Sequence, residues 1–130
     1  MRGIAREIGY AFLAWLLPFL AAVGMTSLKT SNTPLFDSLM GVAVTLSTVV
    51  LALAYFKRLT AGYVAAGVKI GTLWTLANWL LDGMMFSSGP MKMTFSQYAS
   101  DIGAAYLAIP VVTIGLGLAA ARAAAKRFAV

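Results

Sequence analysis

Four stretches of the sequence, 4–25, 35–56, 62–86 and 95–122, are apolar over a length near the roughly 20 residues a helix needs to cross a bilayer. No other feature constrains the fold as strongly. In hydrocarbon a backbone must satisfy its own polar groups, so each stretch is expected to be a helix. Only 11% of the 130 residues are charged, where a soluble domain has about a quarter. The mean hydropathy is +0.86. Four spans take nearly the whole chain and leave little for a soluble domain. The expected fold is all-α: one integral membrane four-helix bundle, with the lipid bilayer as its solvent.

The connections follow from local signals. Arg2 and Arg6 precede the first apolar run, a pattern shared with signal peptides, but the run is long for one and reads as a span. Pro18 lies inside it and removes a backbone donor, which predicts a kink. Residues 26–34 read as a polar loop ending at Pro34, a good first-turn residue for the second helix. Residues 59–62 make a very short turn, so spans two and three are expected to be antiparallel neighbours. Residues 87–92 are rich in turn formers. Thr94 and Gln97 match a capping box and mark the start of the fourth helix. That helix is expected to continue past Pro110 to about Arg127, longer than the ~30 Å hydrocarbon core.

Charge sets the expected orientation. Arg2 and Arg6, Lys57 and Arg58, and Arg122, Lys126 and Arg127 fall on one side of a four-span chain, with only Lys29 and Lys92 on the other. The positive-inside rule then places both termini in the cytoplasm. The net charge of +6 is explained by topology and anionic headgroups, not by nucleic acid. Glu7, the one acid on the inner side, is expected to pair with Arg2 or Arg6. The chain has no cysteine and no histidine, which removes thiol chemistry, imidazole ligation and the usual general base. No phosphate loop, dinucleotide fingerprint, carboxylate pair or nucleophile elbow is present. The chain is therefore read as a non-enzyme without cofactor or metal.

The polar chemistry concentrates on the third span. Gly71, Thr75, Asn78 and Asp82 recur at i, i+4, i+7 and i+11 and share a narrow wedge of one helix face. In an otherwise apolar helix, such a stripe is expected to face protein or a wet cavity. An ionisable residue in a span is expensive and marks function by default. For Asp82 the competing reading is that Gly83 ends the helix and the carboxylate sits wet at the interface. Asn78 lies one turn deeper and is placed to share a hydrogen bond with Asp82. The expected partners of Asp82 from another helix are Tyr98, Asp101 and Lys92. Asp37 and Asp101 open helices, where the dipole favours a carboxylate. Lys69 lies on the far side of the third helix from the stripe. It either snorkels to the interface or forms a buried ion pair.

Small residues suggest where helices meet. Gly41, Thr45 and Thr48 fall on one face of span two. Gly115, Ala119 and Ala123, and separately Gly117, Ala121 and Ala125, form small-xxx-small ladders on span four. These are expected packing faces, including between copies in a homo-oligomer. Trp74 falls near mid-membrane, as packing or as a pocket wall.

The runs Trp74-Thr75-Leu76-Ala77-Asn78-Trp79-Leu80-Leu81-Asp82 and Tyr98-Ala99-Ser100-Asp101-Ile102-Gly103-Ala104-Ala105-Tyr106-Leu107-Ala108-Ile109-Pro110 resemble small four-span bacterial inner-membrane proteins. The resemblance covers the second half of the chain. It implies a four-helix membrane fold and brings no substrate with it. The expected function is transport or a channel for a small solute or ion, with a polar path along Thr75, Asn78 and Asp82 that opens near Asp37, Asp101 and Tyr98. The rival expectation is a non-transporting accessory or scaffold subunit. Transport predicts a water-accessible cavity along the stripe, and the scaffold role predicts a stripe filled by neighbouring side chains.

Overall fold

The structure, a computed structural model, describes residues 2–86 and 103–129. The described residues are helical: α1 (Arg2–Gly24), α2 (Thr26–Ser31), α3 (Thr33–Phe56), α4 (Tyr63–Phe86), a 3₁₀ segment (Gly103–Leu107) and α5 (Ala108–Ala129). Among the described residues, four helices are long and apolar enough to cross a membrane: Gly3–Gly24, Thr33–Phe56, Tyr63–Met85 and Ala105–Lys126. This is a multi-pass membrane architecture. The capping box at Thr94 and Gln97, with Lys92, Tyr98 and Asp101, lies outside the described residues.

The segment read as a polar loop is instead the short helix α2. Hydroxyls in and just after it close helical turns: Ser31 Oγ donates to the Ser27 carbonyl at 2.8 Å, and Thr33 Oγ1, at the start of α3, to the Lys29 carbonyl at 2.7 Å. Such i−4 bonds let Ser and Thr line a polar helical turn. Asn32 then caps α3, its side-chain oxygen accepting from the Leu35 amide at 3.2 Å, with Pro34 in the first turn.

The helices do not pack in sequence order. α1 packs against both α3 and α4, and α5 packs against the same two. The ring therefore runs α1–α3–α5–α4, with α3 and α4 meeting only slightly. The expectation that spans two and three are neighbours fails. A short link limits reach but does not force adjacency. Residues 57–62 can extend to about 20 Å, more than the ~10 Å between adjacent helix axes. The link ends at Gly62, whose φ of 70° suits glycine.

The core lies along the axis of this ring. Trp74, Ile70, Val44, Ile109, Leu51 and Tyr55 are its large buried members. The outward faces of α3 and α4 carry Val42, Leu46, Val50, Leu53, Leu76 and Leu80, all exposed, as lipid-facing residues should be.

The tightest pairing is α4 with α5, and glycine makes it possible. A Cβ on Gly67 would lie 2.5 Å from the Thr113 carbonyl oxygen. One on Gly117 would lie 2.6 Å from the Tyr63 carbonyl oxygen, and one on Gly71 would collide with Thr113 Oγ1 and Pro110. Gly117 thus serves packing inside the bundle, whereas Gly115 has open space around its missing side chain. Pro110 also corrects the reading of one uniform fourth helix. The chain approaches it as a 3₁₀ segment, and the α-helix starts at Ala108. Pro110 therefore sits in a first turn, where its missing N–H breaks no helical bond.

Candidate functional site, a buried polar seam

The stripe on α4 faces the protein interior. Gly71 is buried, Thr75 is buried, Asn78 is 0% exposed and Asp82 is 3% exposed. The helix continues through Gly83 to Phe86, so Asp82 is not a wet residue at a helix end. Helices α1 and α5 cover the stripe from two sides.

Asp82 is held by α1. The Trp15 indole Nε1 donates to Asp82 Oδ1 at 2.7 Å, in a buried bond. Trp15 is oriented by its own neighbours: it stacks on Phe19 at 4.9 Å and leans on Phe12 at 5.9 Å. A hydrogen bond to a carboxylate is worth about 1.5–3 kcal/mol, and without partners a buried carboxylate is far more costly. Trp15 is the partner that sequence reasoning missed. Trp15 lies midway along an apolar helix, and nothing local distinguishes an indole turned inward to a partner from one packed or facing lipid.

Asn78 does not bond Asp82. Its Nδ2 donates to the Trp74 carbonyl at 2.8 Å, one turn back on the same helix. Its Oδ1 is buried and has no hydrogen-bonding partner, and the same holds for Trp74 Nε1. An unsatisfied buried polar atom costs about 1–3 kcal/mol. Thr75 is self-satisfied, its hydroxyl donating to the Gly71 carbonyl at 2.7 Å. Two further buried hydroxyls are also used within their own helices. Thr48 donates to Val44 and Thr113 to Pro110, at 2.7 and 3.3 Å. Thr45 is half-buried and bonds Gly41 at 2.8 Å.

A second polar cluster closes the other end. Glu7 of α1 receives the Tyr55 hydroxyl of α3 at 2.6 Å on Oε1, and the Lys69 ammonium of α4 lies 3.3 Å from the same oxygen. Lys69 therefore pairs with an acid, and that acid is Glu7. The Glu7 side chain is 17% exposed and that of Lys69 58%, so the lysine keeps its head partly outside while its stem lies on the helix. The expected pairing of Glu7 with an N-terminal arginine gives way to this one. Arg6 instead lies 5.7 Å from the Tyr55 ring centroid, in cation–π geometry. One turn along α1 from Arg6, Tyr10 meets Tyr55 edge-on at 5.4 Å and stacks on Trp74 at 6.2 Å.

The two ends belong to one seam. Glu7 with Lys69, Tyr10 with Trp74 and Trp15 with Asp82 rise together, so α1 and α4 run parallel. Glu7 and Asp82 stand at its ends, with Tyr55, Tyr10, Trp74, Asn78 and Thr75 between. Lys69 joins the cluster at one end. Asp37, offered as part of an outer mouth, is exposed on α3, and the other two members of that mouth, Tyr98 and Asp101, lie outside the described residues. Among the described residues, no three acidic, histidine or cysteine side chains gather as a metal site. The seam thus holds two carboxylates, Glu7 and Asp82, with hydroxyl, amide and indole hydrogen-bonding groups between them.

No protein-family model, curated protein or solved structure matches this chain.

Proposed function

We propose that the chain is a small transport or channel-type protein of the bacterial inner membrane, with both termini cytoplasmic and the seam of α4 and α1 as its polar path. One observation carries the reading: Asp82, a carboxylate within a candidate span, is buried and held by an indole from another helix. Ionisable groups inside membrane domains are costly and concentrate on ion and proton pathways. The seam supplies a second acid, Glu7, near the opposite end. Tyr10 and Trp15 lie across the path, so conduction requires them to move. The role of Asp82 is tested in proteoliposomes loaded with a pH-sensitive dye, by following proton, monovalent cation and small neutral solute fluxes under an imposed gradient. Wild-type protein should exceed empty vesicles for at least one of these. Asp82→Asn should abolish that flux while keeping the helical circular dichroism spectrum. Wild-type vesicles no leakier than empty ones to all three classes would sink the reading.

A second reading is supported by the way α1 and α5 side chains cover the stripe. A non-transporting accessory or scaffold subunit needs its polar residues satisfied and a surface free for a partner. On α5, Gly115, Ala119 and Ala123 line an open groove of about 490 Å³ with Arg122 and Lys126 at its end. Small residues let helices approach closely, and this face is where we place self-association.

A further inference from the structure

The two unpartnered atoms in mid-seam are of opposite kind. Trp74 Nε1 is a donor and Asn78 Oδ1 an acceptor, and both residues are fully buried. They are one helical turn apart on one face. The Asn78 amide is fixed in sense, because the nitrogen is the end that bonds the Trp74 carbonyl. The oxygen is therefore left to face something else.

The helix opposite is α1. Tyr10 stacks on Trp74 and Trp15 reaches Asp82, so residues 10–15 run beside 74–82. The side chains between these contacts are Ala11 and Ala14, small and buried. Between the Tyr10–Trp74 and Trp15–Asp82 contacts the seam thus offers one unused N–H and one unused carbonyl oxygen.

We propose that this part of the seam binds one small neutral hydrogen-bonding molecule, a water or a hydroxyl- or amide-bearing solute, that accepts from Trp74 Nε1 and donates to Asn78 Oδ1. A buried water makes about 2–4 hydrogen bonds, and this pair supplies two of them. A bare cation has no lone pair for the indole N–H, and an anion has no proton for the amide oxygen, so the donor–acceptor pattern selects a neutral molecule. As a waypoint between Asp82 and Glu7, this site rests on the transport reading. Its occupancy is measured without any flux, so the two fail separately.

The test is nuclear magnetic resonance on full-length chain in lipid nanodiscs, with ¹⁵N-labelled tryptophan in an otherwise deuterated protein. The chain has 3 tryptophans, and Trp74→Phe assigns the resonance in question. The Trp74 indole proton should show a direct water cross-peak despite its burial. Asn78→Leu should cut occupancy about tenfold, by removing one of the two hydrogen bonds. Titration with urea and with glycerol separates the sources. A saturable shift of the Trp74 indole with loss of the water peak assigns a solute, and an unchanged spectrum assigns water. A wild-type Trp74 indole with no contact to water or to either solute overturns the proposal. That measurement stands even where the leucine variant fails to fold.

Discussion

Trp15→Phe isolates one contact that holds the buried carboxylate. The substitution removes the Nε1 donor 2.7 Å from Asp82 Oδ1 and keeps an aromatic ring against Phe19 and Phe12. Two losses combine. Losing a hydrogen bond to a carboxylate costs about 1.5–3 kcal/mol in water-soluble proteins, but membrane proteins average nearer ~0.6, with a maximum of about 1.7. Shrinking a buried indole to a phenyl ring adds about 1 kcal/mol for the cavity. The total expected is therefore about 1.6–2.7 kcal/mol. A double-mutant cycle with Asp82→Leu separates the two parts, since the cavity cost appears in both backgrounds and cancels. The coupling should be about 0.6–1.7 kcal/mol. The assay is reversible unfolding in mixed micelles, followed by far-ultraviolet circular dichroism. A coupling within ~0.3 kcal/mol of zero, inside the scatter of independent sites, would refute the idea that Trp15 stabilises the buried carboxylate.

Three other predictions concern the frame around the seam. Because the chain has no native cysteine, single cysteines can be labelled without background. Those near Lys57 and Val130 should be protected from impermeant reagent in intact cells and those near Lys29 and Ser88 labelled, and a labelled C-terminus would overturn the orientation. Gly67→Leu drives a side chain into the Thr113 backbone and should destabilise the bundle by about 3 kcal/mol, the upper end of the usual cost of overpacking. Gly115→Leu should leave the protomer's melting unchanged and weaken any dimer detected by cross-linking in mild detergent, and equal losses from both substitutions would remove the distinction between the two faces. Lys69→Met should cost under about 1 kcal/mol, because a 58% exposed ammonium is screened. A larger loss of thermal stability would show that the Glu7 pair sits in a drier environment than its exposure implies.

Several features of the site were readable in the sequence, and particular residues show why. The burial of Asn78 and Asp82 follows from their spacing, since in a helix position along the chain fixes direction around the axis. Trp74 at the centre follows from its depth in the span. The Glu7–Lys69 pair had half its signal in the sequence, as a lone cation inside a span calls for an acid. Which acid was open, because Arg2 and Arg6 compete for Glu7 at close sequence range and the lysine is 62 positions away. The Trp15–Asp82 bond joins residues 67 apart and carries no local signature.

The sequence by itself determined the number of candidate spans, the inward direction of the α4 stripe and the asymmetric distribution of basic residues. All three are properties of single segments: apolar length, angular period and charge count. Only the tertiary structure decided the ring order, with α3 and α4 across from each other. It alone decided that Gly117 packs inside the bundle while Gly115 faces outward, and that α1 brings Trp15 and Glu7 to the two ends of one seam. The physical reason is that a helix's side-chain pattern specifies which face is buried but not which helix buries it. That choice depends on how closely two backbones can approach. Here Gly67, Gly71 and Gly117 let α4 and α5 come together, leaving α1 to cover the rest of the seam.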